Sequence, residues 1–380
     1  MFAPMRILHV NDRLSQRGGA DWHLLGVIQA QLRRWGGEAV RLVVGRLDGT
    51  WPPPCPTTEL AGLDARTWTP VGLEALVDAL RPDLVHLHNV VNPWVLTWAC
   101  SSARPRLMTV QDHRCFCPGR GKWTASGDVC REPRGSRCAE CFTDRVYFEE
   151  IDRLTGQRLD ALRRLPALTV LSSYMEQQLV QVGVPAGRIH VIPPFVHGLD
   201  SDLAQAQGLS SPPTRPTGLH SPCALFVGRL VDAKGPADAL RAWRESGLDL
   251  PMVVAGTGSA RERLQQLWPE AELVGWVPHE RLAALYRRAR VLLMPCRWQE
   301  PFGIVGLEAM TMGVPVAAWD SGGVGQWHPG PLIPWGDVEG LGRAAARLAG
   351  TRAPPPSGFE QEALMSRLHG LYRRLLAGGS

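Results

Sequence analysis

From end to end the chain alternates short apolar runs with amphipathic stretches. Arg6–Val10 reads as a buried strand. After Gly18-Gly19, residues Asp21–Trp35 carry Leu25, Ile28 and Leu32 at helical spacing and stop at Gly36-Gly37, a pair suited to a helix C-terminus. Further strands are predicted at Ala39–Val44, Leu84–Leu87, Leu107–Val110, Leu168–Leu171 and Ile189–Ile192. The second half keeps the rhythm, with strands at Ala224–Val227, Met252–Ala255, Leu273–Val274, Val291–Met294 and Val316–Trp319. Helices at Pro236–Glu245, Ala260–Leu267, His279–Arg288 and Ile304–Met312 separate them. Strands alternating with helices of this length predict an α/β fold of doubly wound parallel sheets, covered on both faces.

A length of 380 residues suits two such domains. Ser210-Ser211-Pro212-Pro213, Pro216 and Pro222 break the pattern and mark a linker at 199–222. It separates an N-terminal domain, 1–198, from a C-terminal domain, 223–358, with a closing helix at 359–380 expected to pack back on the first. Open parallel sheets bind ligands beyond the carboxyl ends of their strands, so two of them facing each other predict a deep interdomain cleft. Hydrophobic residues at 44% and charged residues at 20% exclude a disordered chain. No apolar run has the length of a membrane span, and Arg6 and Asn11–Arg13 interrupt any secretory h-region. The expectation is a cytoplasmic protein, with at most peripheral contact at the inner membrane face. The net charge of +5 is not gathered into a stripe, which argues against nucleic acid as a partner.

The chemistry concentrates at Glu300-Pro301-Phe302-Gly303-Ile304-Val305-Gly306-Leu307-Glu308. Glu300 follows a strand's carboxyl end, and a helix begins near Gly303. The N–H groups of Gly303, Ile304 and Val305 at that positive terminus suit a diphosphate. Glu308, one turn in, can accept from ribose hydroxyls. Phe226-Val227-Gly228-Arg229 ends another strand, with Lys234-Gly235 following. Lys234 is one of only two lysines in a chain of 41 basic residues, the other being Lys122. Arg229 and Lys234 beside the helix could neutralise a leaving diphosphate without a divalent metal. Ala255-Gly256-Thr257-Gly258 permits close backbone approach, and Gly275-Trp276-Val277-Pro278 offers an irregular backbone to read a base.

With Gly18-Gly19-Ala20 and Ser321-Gly322-Gly323, these motifs resemble, in order, those of the retaining glycosyltransferases of family 4, which have the two-domain GT-B fold. The resemblance implies two Rossmann-like domains, the second binding a nucleotide-diphosphate sugar of UDP or GDP type and the first a hydroxyl acceptor. It assigns Arg229 and Lys234 to the diphosphate, Glu308 to the ribose and Glu300 to the transferred sugar, with Gly18 and Gly19 closing over the phosphates. Gly256, Trp276, Val277, Phe302, Gly303, Ile304 and Val305 complete the donor side. The implied activity is a hexosyl transfer in glycan, glycolipid or metabolite biosynthesis.

One departure concerns Thr109-Val110-Gln111-Asp112-His113, where the family usually has His-Asp and this chain holds Gln111. Gln111 can bond a sugar hydroxyl but cannot act as a base. In an extended segment His113 points to the same side and could replace the missing imidazole. His86 and His88 alternate with Val85 and Leu87 on a buried strand, which favours a structural or acceptor-side role over catalysis.

Five cysteines follow within an insertion at about 113–145. Cys117, Cys130, Cys138 and Cys141 have the types and spacing for one tetrahedral structural zinc, with Cys115 as alternate ligand. Free thiols, or a disulfide formed in air, are the competing reading. Two other functions remain in play: a nucleotide-sugar epimerase of similar shape, which would act on the donor with no acceptor, and a zinc-containing nucleic-acid-binding protein.

Overall fold

The strands fall into two parallel sheets, one of seven strands and one of five, in a computed structural model that describes residues 5–16, 18–49, 51–66, 69–199 and 221–378. The chain divides into two units, Met1–Phe195 with Glu360–Ser380, and Val196–Phe359. Most of the expected linker, 200–220, lies outside the described residues. Among the described residues no helix is long and apolar enough to cross a membrane.

In the first unit β1 (Ile7–Leu14) is central. Its neighbours are β2 (Val40–Leu47) and β4 (Leu84–His88), with Ile7 in register with Val40 on one side and Leu84 on the other. With β3 (Thr57–Glu59), β5 (Arg106–Val110), β6 (Leu168–Val170) and β7 (Ile189–Val191), the order is β3-β2-β1-β4-β5-β6-β7. The helices are α1 (Gly19–Trp35), α2 (Leu73–Leu80), α3 (Pro93–Ser101), α4 (Arg145–Arg164) and α5 (Ser173–Gln181). β3 is a three-residue polar edge strand, too short to show in a hydrophobic pattern.

The two-residue strand period sorts this sheet's faces. Leu8, Val10, Val85, Leu87, Met108, Val110, Leu168 and Val170 join one apolar cluster. The intervening positions carry His9, His86, His88, Thr109 and Thr169, all buried. Buried polar groups need partners. Here they form a chain that takes in Gln31 of α1 and Tyr372 of the C-terminal helix Gln361–Ala377. His88 Nε2 and His9 Nδ1 lie 2.9 Å apart, and His9 Nε2 lies 2.7 Å from Gln31 Oε1. Gln31 Nε2 donates to Tyr372 at 3.3 Å, and that hydroxyl lies 2.6 Å from His86 Nδ1. His86 Nε2 reaches Thr109 at 2.7 Å, and Thr109 reaches Thr169 at 2.7 Å. One donor direction satisfies every link. Gln31 Oε1 only accepts, so His9 carries its proton on Nε2 and accepts from His88 at Nδ1. Burial keeps the imidazoles neutral, with His9 pushed down to about 4.

The second unit centres on β8 (Cys223–Val227), with β9 (Met252–Ala255), β10 (Glu272–Gly275), β11 (Ala289–Met294) and β12 (Val316–Ala318) in the order β10-β9-β8-β11-β12. Its helices are α6 (Pro236–Glu245), α7 (Arg261–Leu267), α8 (His279–Arg288), α9 (Ile304–Thr311) and α10 (Val338–Leu348); the C-terminal helix of the first unit is α11. Phe226, Val254, Leu240, Leu293 and Leu341 meet in its core. α10 was not among the predicted elements. It buries Val338, Leu341, Ala344 and Ala345 along one face, and a Cβ on Gly342 would sit 2.7 Å from the Ala242 carbonyl oxygen of α6, so the two helices approach closely. Both sheets reverse their strand order at the centre, between β1 and β4 and between β8 and β11. These are the switch points at which such sheets bind ligands.

Candidate functional site

In the second unit the loops leaving β8 and β11 are locked together. The backbone N–H groups of Arg297 and Trp298 donate to the Ala233 carbonyl at 3.0 and 3.1 Å. Gly235, with φ 67°, admits no side chain, because a Cβ would lie 1.9 Å from the Pro295 carbonyl oxygen. This brings the Lys234 ammonium onto the Glu300 carboxylate and over the Trp298 ring, 4.3 Å from its centroid. Glu300 is 5% exposed, and the Cys296 thiol donates to the same Oε1 at 3.0 Å. Burial alone would raise the Glu300 carboxyl. The Lys234 charge, with hydrogen bonds from Cys296, Lys234 and Trp298, outweighs burial and holds it below its ordinary value. Burial, and then the Glu300 charge, push the Cys296 thiol well up, so it is no nucleophile.

The Ser321-Gly322-Gly323 turn clamps the Glu300 backbone. Gly323 N donates to Glu300 O at 2.6 Å, Gly322 N to Gln299 Oε1 at 3.0 Å, and Glu300 N to Ser321 Oγ at 3.4 Å. Gly303, with φ 86°, then caps α9. Gly303, Ile304 and Val305 are partly exposed, whereas Phe302 is buried, edge-on to Phe359. Gly306 makes room for Trp327, whose ring would stand 2.0 Å from an added Cβ. Glu308, buried, has both oxygens engaged: His279 Nε2 lies 2.9 Å from Oε1, and the Tyr286 hydroxyl donates to Oε2 at 2.9 Å.

The other donor-side candidates are less closely held. Arg229 is exposed, Trp276 is 43% exposed and Val277 is partly buried. Gly256, at φ 148°, is required by its own neighbours, since a Cβ would fall 1.8 Å from the Gly228 carbonyl oxygen. Its need for glycine is therefore explained without a ligand.

In the first unit Gly18 caps α1 with no side chain in reach, and Ser15 donates to Asp21 through both N and Oγ, at 3.0 and 2.6 Å, bracing the turn. The extended geometry expected for Gln111 to His113 is not kept. The chain bends at Asp112–His113, so side-chain alternation fails and the two residues part. Gln111 turns to α1, with Nε2 3.0 Å from His23 Nδ1 and 3.4 Å from the Ala20 carbonyl oxygen. His113 is 2% exposed, 3.1 Å from the Tyr174 hydroxyl, and its ring meets Phe116 edge-on. Asp12, towards the end of β1, accepts from Val91 N at 2.9 Å through Oδ2, while its buried Oδ1 has no partner among the described residues; burial pushes it up to about 7.

The cysteine insertion separates into two environments. Cys115 belongs to the apolar core, with its thiol directed at the Val90 carbonyl at 3.8 Å and pushed by burial up to about 12. This removes it from the ligand set proposed as an alternative. Cys117, Cys130, Cys138 and Cys141 share one partly exposed neighbourhood. Burial raises Cys138 and Cys141, and the sulfurs of Cys117 and Cys130 add to it. Among the described residues, the side chains whose ligand atoms come mutually within 4.8 Å are His9, His86 and His88, and the cysteines stand looser. The histidine nitrogens are largely taken up by the hydrogen-bond chain, which accounts for that cluster without a metal.

Sequence reasoning missed His23, His279, Tyr286 and Trp298. For His279 and Tyr286 a signal was present, because positions seven apart share a helical face.

Comparison with known proteins adds to this geometry. The family model described as Glycosyltransferase Family 4 matches residues 17–197, and that described as Glycosyl transferases group 1 matches residues 216–341. The 2-deoxystreptamine glucosyltransferase of Streptomyces kanamyceticus is 32% identical over 212 residues, 51% of this chain and 54% of the relative. The 2-deoxystreptamine N-acetyl-D-glucosaminyltransferase of Streptomyces fradiae is 28% identical over 310 residues, 76% of this chain and 68% of the relative. The chain thus spans about half the length of some curated relatives it matches. Among solved structures, sucrose-phosphate synthase from Thermosynechococcus elongatus superimposes with a TM-score of 0.67 at 20% identity, covering 98% of this chain and 100% of that one. Anabaena Alr3699/HepE in complex with UDP-glucose gives 0.62 at 15% identity, covering 98% and 99%.

Proposed function

Because the chain belongs to glycosyltransferase family 4 and has the GT-B fold, we propose that it moves a hexosyl group from a nucleoside-diphosphate sugar to a hydroxyl, with retention of anomeric configuration. The observation that carries this reading is the Lys234–Glu300 pair beside the partly exposed first turn of α9, at the switch point of the second sheet. The UDP and UDP-glucose in similar solved structures support a donor of that class.

In this reading Arg229, Lys234 and the N–H groups at Gly303, Ile304 and Val305 receive the diphosphate. Glu308 takes the ribose, Glu300 a hydroxyl of the sugar, and Trp276 and Val277 the base. Gly18 and Gly19 serve the phosphates. The bond from the anomeric carbon to the diphosphate oxygen breaks as the acceptor oxygen bonds that carbon on the same face. The acceptor proton passes to the departing phosphate oxygen, so no protein base is needed. This agrees with Gln111 standing where a base would otherwise be sought. His113, turned to Tyr174, is assigned to packing. The charge of the leaving group is met by protein groups, and no divalent cation enters the reaction. Two relatives named for 2-deoxystreptamine support a small polyol acceptor within the metabolite branch of the expectation.

Thermal-shift screening of UDP, GDP and their hexose conjugates tests the donor class, since a ligand bound only by the folded state raises the melting temperature. Proton NMR of the product's anomeric coupling then tests retention. No shift with any of these nucleotides contradicts the donor assignment, and an inverted product contradicts retention.

A further inference from the structure

We infer that Tyr286 and His279 are positioning residues that fix the Glu308 carboxylate for the ribose hydroxyls of a nucleoside diphosphate; this rests on the donor site proposed above. Three observations lead to it. First, Glu308 is 4% exposed on a short helix and, among the described residues, has no Lys or Arg side chain bonded to it, unlike Glu300. Its two partners come from one face of α8: His279 opens that helix, and Tyr286 lies two turns on. Second, the donor directions are fixed by chemistry. An ionised carboxylate only accepts, so His279 must carry its proton on Nε2 and Tyr286 must donate its hydroxyl hydrogen. Burial, and behind it the Glu308 charge, raise the Tyr286 phenol well above its ordinary value, which keeps that hydrogen in place. Third, the count leaves capacity. A carboxylate has about four lone-pair sites, and these two bonds, one to each oxygen, use two. The remaining pair is what two neighbouring hydroxyls of a ribose would need, and a carboxylate held at both oxygens cannot rotate away from them. Such preorganisation spares the ordering cost on binding.

A purely structural alternative has Glu308 simply tying α8 to α9. The two readings part on the ligand's hydroxyls. Titration calorimetry on the full chain uses UDP and GDP, each with its 2′,3′-dideoxy counterpart, against wild type, Tyr286→Phe and His279→Gln. Hydrogen bonds to a charged group are strong enough that their loss is read as a factor of ten or more. In wild type, removing both ribose hydroxyls should weaken binding at least tenfold. Each variant should weaken binding of the ribonucleotide about tenfold, yet bind the dideoxy form about as wild type does, because the interaction being positioned is already gone. A variant that weakens both forms equally overturns the inference and leaves a structural tie. A wild type indifferent to the ribose hydroxyls overturns it also, with no need for a variant to fold. A wild type that binds neither nucleotide overturns the donor-site reading itself, and this inference with it.

Discussion

Lys234 and Glu300 lie 66 positions apart and form an ion pair, Glu300 buried and Lys234 largely so, between the loops leaving β8 and β11. Side-chain exposure of 19% and 6% leaves little water to screen either charge. Removing one partner strands the other, which in comparable sites costs about 3–5 kcal/mol. Lys234→Met should therefore lower stability in urea far more than the Lys234→Met/Glu300→Gln double variant does. A double variant as unstable as the two singles added together would show that the pair is not coupled.

The same pair separates binding from turnover. Glu300→Gln should keep nucleoside-diphosphate affinity within a few-fold while lowering kcat on the order of a hundredfold, as expected for a contact made mainly in the transition state. Lys234→Ala should instead weaken nucleotide binding. Steady-state kinetics beside calorimetry check this, and equal effects on both quantities in both variants would dissolve the distinction.

Two buried groups of the first unit should give opposite pH dependences. His9 is held down to about 4 from 6.5, so the unfolded chain binds a proton between those values that the folded chain does not; stability is lost as pH falls through that window. Asp12 is held up to about 7 from 3.8, so the folded chain keeps a proton that the unfolded chain releases; stability is lost as pH rises toward 7. Asp12→Asn should remove the second loss and leave the first exposed, giving stability that climbs more steeply from pH 4 to 6.5. Urea midpoints across that range measure it. An unchanged profile would mean that Asp12 is not the buried acid described.

The strand and helix pattern was readable because burial on both faces leaves continuous apolar runs such as Ala224–Val227 and Val291–Met294. What the pattern could not carry was side-chain direction after a strand ends. Gln111 and His113 were placed on one side by alternation, and a bend at Asp112 sent one to His23 and the other to Tyr174. The motif residues Glu300 and Glu308 stood out by spacing, but Trp298, His279 and Tyr286 did not, because their roles depend on contacts across 22 to 29 positions or on a ring beneath an ammonium. Cys115 was grouped with its neighbours by proximity in sequence, whereas its burial with Val90 and Phe116 sets it apart. His86 and His88 were legible as buried, and only contacts from other elements, Tyr372 on a distant helix for His86 and His9 on β1 for His88, explain how their polarity is met.

For the four remaining cysteines, protein purified anaerobically should hold about one zinc per chain, and binding should draw the four sulfurs into a tetrahedral set. Cys138→Ser should then lose the metal and lower the melting temperature, while Cys115→Ser should keep the metal. Elemental analysis showing no stoichiometric zinc, with thiols that titrate freely, would remove the site.

The central claim is that the second unit binds a nucleoside-diphosphate sugar through its own cations and releases the diphosphate without a divalent metal. It is tested most directly by following nucleoside diphosphate released from UDP- and GDP-hexoses, with 2-deoxystreptamine and simple polyols as acceptors and with EDTA present throughout. The account predicts acceptor-dependent release that survives EDTA and falls about a hundredfold in Glu300→Gln. Release that appears only when magnesium or manganese is restored, or that is unchanged in Glu300→Gln, would contradict it.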